Sequence, residues 1–193
     1  VNCGKPLPDM EVEIRGENGK ARKDHQIGKV FCRGPSVMHS YFRNPEATNE
    51  CLVGGWLDTG DMGYMADGYL FIVGRAKDMI IINGKNHWPQ DIEWAVEQLP
   101  GFNHGDIAAF SIEMESGEEA PAVLVHCRVS DPEERVRLRD TIRDKVRSIT
   151  GMNCVVELVP PRTLRRTSWG KLSRAKAKRL YLSGEIEPFE LAA

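Results

Sequence analysis

The sequence predicts an α+β fold in two parts, a small β-rich piece over residues 1–76 and a compact α+β domain over residues 77–193. Three observations lead there. Up to residue 74 the chain is written in short alternating stretches broken by frequent glycines, among them Gly16, Gly19, Gly54, Gly55 and Gly68, with no long helical period. Beyond Arg75, apolar residues recur at helix spacing in residues 89–99 and 131–150. Around those helices lie apolar strand-like runs, and the order strand, helix, strand, strand, helix, strand, helix describes helices packed on one small sheet.

The elements follow from local chemistry. Residues 10–15 alternate apolar and charged side chains, residues 28–33 follow as a second strand, and residues 64–65 and 69–73 flank an Asp67-Gly68 turn. A polar boundary falls at residues 75–78. Residues 79–82 form an apolar strand, and Pro89 opens a helix whose inward face is Ile92, Ala95, Val96 and Leu99 before Pro100 stops it. Residues 107–112 and 122–129 read as strands. Asp131 stands where it can cap the next helix ahead of Pro132, with Leu138, Ile142, Val146 and Ile149 as its buried stripe and Gly151 as a left-handed stop. Residues 154–159 make a last strand, and Ser173 caps a basic helix that ends near Gly184.

The 193 residues are 41% hydrophobic and 28% charged, which supports packed cores and excludes a disordered or collagen-like chain. Against 28 acidic residues stand 26 Lys and Arg, a net charge of -2, so no chain-wide field favours nucleic acid or an anionic membrane. No apolar run reaches the roughly 20 residues of a membrane helix. The start, Val1-Asn2-Cys3-Gly4, has no Met and no signal-peptide character, as expected of a piece of a longer chain. Five scattered cysteines without a C-x-x-C pair and five scattered histidines without ligand spacing predict a cytoplasmic protein with no metal site of its own.

Three segments hold more Gly, Ser, Thr and charge than folding requires. In the first, Thr59, Gly60 and Asp61 sit together between strands, and a carboxylate there can accept hydrogen bonds from two neighbouring hydroxyls, as acidic residues do on a ribose; an ordinary turn is the other reading. In the second, Gly74-Arg75-Ala76-Lys77-Asp78 gathers charge at the boundary, where it can hinge and where a guanidinium can bind phosphate or hydroxyls; a solvated linker is the other reading. The third, residues 165–174, places Lys171 on a loop able to bring an ammonium to a polyphosphate, although its spacing is not that of a P-loop. From Arg162 to Arg179 there are eight basic residues and no acidic ones, a run that a solvated face would also show.

In order and spacing, Thr59-Gly60-Asp61, Gly74-Arg75-Ala76-Lys77-Asp78 and Arg166-Thr167-Ser168-Trp169-Gly170-Lys171 resemble the closing third of the adenylate-forming superfamily. That superfamily includes the acyl-CoA synthetases, firefly luciferase and the adenylation domains of peptide synthetases. Cys3-Gly4-Lys5-Pro6-Leu7-Pro8 and residues 28–30, 33–38 and 41–48 agree, so the resemblance spans essentially the whole chain. Gly84-Lys85-Asn86-His87-Trp88-Pro89-Gln90-Asp91-Ile92-Glu93 is most similar to the fatty-acyl-AMP ligases. Asp58, Asn83 and Trp169 depart from the residues the family often carries there.

The resemblance implies that residues 1–76 are the β-rich end of a large adenylating domain and residues 77–193 a mobile lid. It implies that Asp61 holds the ribose hydroxyls of ATP and of the adenylate, with Thr59 beside it and Arg75 assisting on sugar or phosphate. Lys77 and Asp78 fall at the hinge. Lys171 matches the lysine that bridges carboxylate and phosphate during adenylation, with Thr167, Ser168 and Gly170 shaping its loop. The ligands of Mg2+, the phosphate loop, the adenine-contacting segment and the acyl tunnel would precede residue 1, so the chain alone is expected to be inactive.

The whole enzyme so implied activates a fatty acid with Mg-ATP and hands the acyl group to the phosphopantetheine of an acyl carrier protein. An acidic carrier would find a landing surface in the basic run from Arg162 to Arg179. One alternative is an acyl-CoA synthetase using free CoA, and another is a homologue that binds an adenylate or a partner without turnover. Nucleic acid is not an expected partner, because Trp169 is the one aromatic interleaved with the basic residues between Arg162 and Arg179.

Overall fold

Residues 1–82, 84–114, 117–164, 166 and 172–190 are described by a computed structural model, in which the chain forms two units, Val1–Lys77 and Asp78–Ala193. In the first, β1 (Glu11–Arg15) pairs antiparallel with β2 (Gly28–Arg33), and β2 pairs with β4 (Trp56–Ala66). The long β4 takes β3 (Leu52–Val53) along its first residues and β5 (Tyr69–Arg75) along its last, completing a five-stranded sheet. The turn between β4 and β5 is the expected one, with Asp67 and Gly68 both at positive φ, 51° and 78°.

This unit departs from the sequence reading, which had no strand over Leu52–Val53 and expected only residues 64–65 of what is β4. Helix α1 (Pro45–Cys51), with Asn44 accepting the Ala47 N–H at 3.1 Å, was not expected. It buries no residue, so it leaves no apolar period to detect. The Thr59-Gly60-Asp61 segment also lies within β4 rather than in a loop between strands.

In the second unit β8 (Ile107–Glu113) and β9 (Glu119–His126) are antiparallel, and β10 (Val155–Val159) joins β9 in parallel after α3 (Pro132–Thr150). The hairpin of β6 (Ile80–Ile82) and β7 (Lys85–His87) leads into α2 (Pro89–Glu97), and α4 (Arg174–Leu182) closes the order. Successive strand residues face opposite sides of the sheet. Ile107, Ala109, Val123, Val125, Val156 and Leu158 meet Ile92 and Val96 of α2 and Ile142 and Val146 of α3. On the other face Ala108, Phe110, Ala122 and Leu124 meet Ala177 of α4 and Ile186. Both faces are covered, which is why these strands read as nearly continuous apolar runs.

The caps of α3 are those the sequence predicts: Asp131 accepts the Glu133 N–H at 3.1 Å, and Gly151 ends the helix at φ 74°. Its buried stripe differs at one position. Ile149 is 42% exposed, whereas Thr150 continues the i+4 ridge of Ile142 and Val146 inward and donates its hydroxyl to the Val146 carbonyl at 2.9 Å. Strand β9 stops at His126, short of the expected 129, and α2 stops at Glu97, with Leu99 still packed on the core. Ser173 holds the N-cap position of α4 without a side-chain cap bond. Among the described residues no helix is long and apolar enough to cross a membrane. All five cysteines carry free thiols, and burial pushes that of Cys154 up to about 11.

Candidate functional site

The register of β2 against β4 turns the Thr-Gly-Asp segment into a bulge. Lys29 pairs with Met62 and Phe31 with Asp58, so Val30 alone faces Thr59, Gly60 and Asp61. Gly60 takes φ 73°, a conformation open to glycine at little cost. Side chains stitch the bulge: the Thr59 hydroxyl donates to the Val30 carbonyl at 2.9 Å and accepts the Asp61 N–H at 3.1 Å, while Asp58 accepts the Gly60 N–H at 2.9 Å. Asp58 also lies 3.8 Å from the ammonium of Lys29.

Across the sheet, Asp61 of β4 pairs with Arg75 at the end of β5, and Arg75 Nε donates to Asp61 Oδ1 at 3.1 Å. Both side chains reach solvent, Asp61 at 32% and Arg75 at 52% exposure. An open groove of about 430 Å³ borders Arg75, lined by Tyr41, Asp58, Thr59, Gly60, Arg75 and Lys77 among others, with Asp61 next in sequence to its wall. The arrangement presents a carboxylate and a guanidinium side by side, able to accept from vicinal hydroxyls and to donate to a phosphate. Its fit to a metal ion is poor, since Asp58 and Asp61 are engaged with Gly60 and Arg75, and no three His, Cys, Asp or Glu converge among the described residues.

The second unit buries two of its carboxylates. Glu93 of α2, 7% exposed, receives Arg174 Nε and a second guanidinium nitrogen at 2.6 Å each and the Ala109 N–H at 3.0 Å. Burial pushes the Glu93 carboxyl up against the pull of Arg174, while the bidentate bond holds the guanidinium firmly charged. Asp106 precedes β8 and accepts two bonds from Arg128, at 2.7 and 3.0 Å, and the Asn103 N–H at 2.9 Å. Burial opposes ionisation there, but these donors prevail and hold the carboxyl down to about 2. His126 is buried beside it, and burial is the main cause that keeps its ring neutral below the usual range.

No family model matches the chain. Known proteins do. Over 95% of its length it is 46% identical to a protein of Caulobacter vibrioides (strain NA1000 / CB15N) that carries a provisional acyl-CoA synthetase name, of which it spans 32%. Over 98% of its length it is 31% identical to the medium-chain-fatty-acid–[acyl-carrier-protein] ligase JamA of Moorena producens (strain JHB), of which it spans 34%. A solved structure from studies of fatty acyl-adenylate ligases of E. coli and L. pneumophila matches at TM-score 0.85 and 42% identity, over 96% of this chain and 33% of that one. This chain belongs to the adenylate-forming ligases. It matches their C-terminal part and spans about a third of the length of these relatives. Its α+β architecture is that of the adenylate-forming C-terminal region.

Of the residues singled out in this adenylate-forming sequence, the fold brings Thr59, Asp61 and Arg75 together, and Lys77 lines the same groove. Asp78 begins the second unit and sits 3.6 Å from Arg174. His87 ends β7, its Nε2 shielded from solvent and without a hydrogen-bond partner among the described residues. Lys171 lies outside the described residues, as do Asn83, Thr167, Ser168, Trp169 and Gly170. Sequence reasoning missed Glu93, Asp106 and His126. The signal for Glu93 was a carboxylate inside the apolar stripe of a helix; Asp106 and His126 stand at the ends of apolar strands, where polar residues are ordinary.

Proposed function

We propose that the chain is the C-terminal part of an ATP-dependent fatty-acid-activating enzyme, with Val1–Lys77 the end of its adenylating domain and Asp78–Ala193 its lid. In the first half-reaction the fatty-acid carboxylate attacks the α-phosphorus of Mg-ATP, forming acyl-adenylate as the bond to pyrophosphate breaks. Asp61 accepts from the ribose hydroxyls and Arg75 orients Asp61 while reaching for sugar or phosphate. Lys171 places its ammonium between carboxylate and phosphate, where negative charge grows as the bond forms. In the second half-reaction a phosphopantetheine thiol attacks the acyl carbonyl and AMP leaves. Lys77 and Asp78 form the pivot between the two poses. By itself the chain is inactive, because the remaining ligands of ATP, Mg2+ and acyl chain belong upstream.

The observation that carries this reading is the bulge that sets Asp61 opposite Arg75 beside a groove, in a chain of this family. The carrier protein as acceptor is supported by the JamA name, by the segment around His87, and by the exposed basic residues Arg162, Arg166, Lys176 and Arg179. The name of the Caulobacter relative favours a second reading, in which free CoA is the acceptor. Mass spectrometry of the products of the full-length ligase, given Mg-ATP, mixed fatty acids, CoA and a holo carrier protein together, separates them. Acyl-AMP with acylated carrier is expected, abundant acyl-CoA would assign the second reading, and absence of any adenylate would sink both.

A further inference from the structure

Among the described residues, the buried polar side chains are those of Glu93, Asp106, His126 and Thr150, all in the second unit. Burying such groups in an apolar core is costly, and apolar residues of similar volume would fill these places at least as well for stability. Thr150 bonds back to its own helix. The other three hold the two ends of one segment.

At the near end, the Leu164 N–H donates to His126 Nε2 at 2.8 Å. An accepting Nε2 places the proton of the neutral ring on Nδ1, which faces Asp106 Oδ1 at 3.5 Å. Asp106 is in turn fixed by Arg128 and Asn103. Two residues on, Arg166 donates to the His104 carbonyl at 3.0 Å and pairs with Leu172 in an isolated antiparallel bridge. At the far end Arg174 is clamped by Glu93 and lies 3.6 Å from Asp78. Leu164 and Leu172 pack into the core that lies under α4. Residues 164, 166, 172 and 174 are thus each tied to the sheet, to α2 or to one another, and Lys171 adjoins this frame in sequence.

We propose that His126, oriented by Asp106, is a positioning residue for the segment that carries Lys171, with the Glu93–Arg174 pair fixing the segment's other end. The inference rests on the assignment of Lys171 to adenylation. An ammonium on a flexible side chain serves a short-lived transition state only when its backbone is already placed, and a misplacement of about 1 Å can lower a rate about a hundredfold. A carbon at the position of Nε2 would leave the Leu164 N–H buried and unpaired, so the segment would shift to satisfy it.

The test is made in the full-length ligase with the half-reactions read separately, adenylation as pyrophosphate release and transfer from supplied acyl-adenylate to the thiol acceptor. His126→Phe keeps a planar ring and removes the acceptor. It is expected to lower the adenylation kcat by about tenfold to a hundredfold, with KM for ATP within about twofold and transfer unchanged. His126→Gln, whose carboxamide oxygen can accept the Leu164 N–H, is expected to restore most of the rate. Wild-type adenylation by His126→Phe, a parallel loss of transfer, or a Gln variant no better than Phe would overturn the role. Should His126→Phe not fold, Asp106→Asn decides on the same split, selective loss of adenylation supporting the role and equal loss overturning it. Lys171→Ala runs alongside: normal adenylation there overturns the reading of Lys171, whereas an inactive Lys171→Ala beside a fully active His126→Phe overturns the positioning role alone.

Discussion

Arg75 stands opposite Asp61 across two antiparallel strands, its Nε 3.1 Å from Oδ1, although fourteen residues of chain separate them. The pair depends on the hairpin at Asp67-Gly68, which returns β5 along β4, and on the bulge against Val30, which turns Asp61 as a flat strand would not. Position follows from pairing, and the chemistry of two ordinary side chains follows from position.

Because both partners are substantially exposed, the pair contributes under about 1 kcal/mol to stability. The role in ATP binding proposed for it predicts a different ranking for activity. Asp61→Ala in the full-length ligase should reduce kcat/KM for ATP by about tenfold to a hundredfold, consistent with loss of charge-assisted hydrogen bonds of about 1.5–3 kcal/mol. Pyrophosphate release across ATP concentrations, beside a melting curve, checks this; a large fall in melting temperature with unchanged ATP dependence would make the pair structural.

Gly63 should not tolerate alanine. A Cβ there would lie 2.5 Å from the Phe71 carbonyl oxygen, a backbone atom held in the β4–β5 ladder. Gly63→Ala is expected to destabilise the first unit by about 1–3 kcal/mol and to weaken ATP use by disturbing the register that faces Asp61 with Arg75. Urea unfolding of the variant measures the first effect, and an unchanged midpoint would show that the strands part easily.

Removing one member of the Glu93–Arg174 pair leaves the other charge shielded from water. Arg174→Ala is therefore expected to cost about 3 kcal/mol, and joint replacement by a well-packed apolar pair much less. A double-mutant cycle in urea gives both numbers. Equal losses for the single and joint variants would mean that the buried charge is not what makes Arg174 necessary.

Acid should weaken the second unit in two steps. His126 is kept neutral below its ordinary 6.5, so the unfolded chain gains a proton first and stability falls as pH drops below about 6.5. Asp106 is held at about 2 against an ordinary 3.8, so its contribution is whole above about pH 5 and drains as pH falls from about 4 through 2. Arg128 is half exposed, which limits the Asp106 contribution to about 1–2 kcal/mol. Asp106→Asn should flatten the lower step, read as unfolding midpoints between pH 7 and pH 2.5. A wild-type lower step retained in that variant would assign it to other carboxylates.

Helix α3 was legible from end to end, because an Asp131 cap, a proline at the first turn and a terminal glycine act on their own neighbours. Helix α1 was not, because a seven-residue helix that buries nothing imposes no period on its sequence. Ile149 and Thr150 exchanged places against expectation. Both spacings, i+3 and i+4, lie on one helix face, and the partner surface chooses between them. Asp61 and Arg75 were each singled out by the segment around them, though not as cross-strand partners.

The sequence by itself determined α2, α3, α4 and the apolar strands that flank them, that the elements make an α+β fold, and which short segments carry the adenylate-forming resemblance, since periodicity, caps and motif spacing are properties of neighbours along the chain. Only the tertiary structure decided that Thr59-Gly60-Asp61 is a bulge on Val30, that Glu93 meets Arg174 across 81 residues, and that Leu164 hangs on His126. Those choices depend on the register of distant strands and on which buried donor has no other acceptor within reach, and both are settled when the layers close on one another.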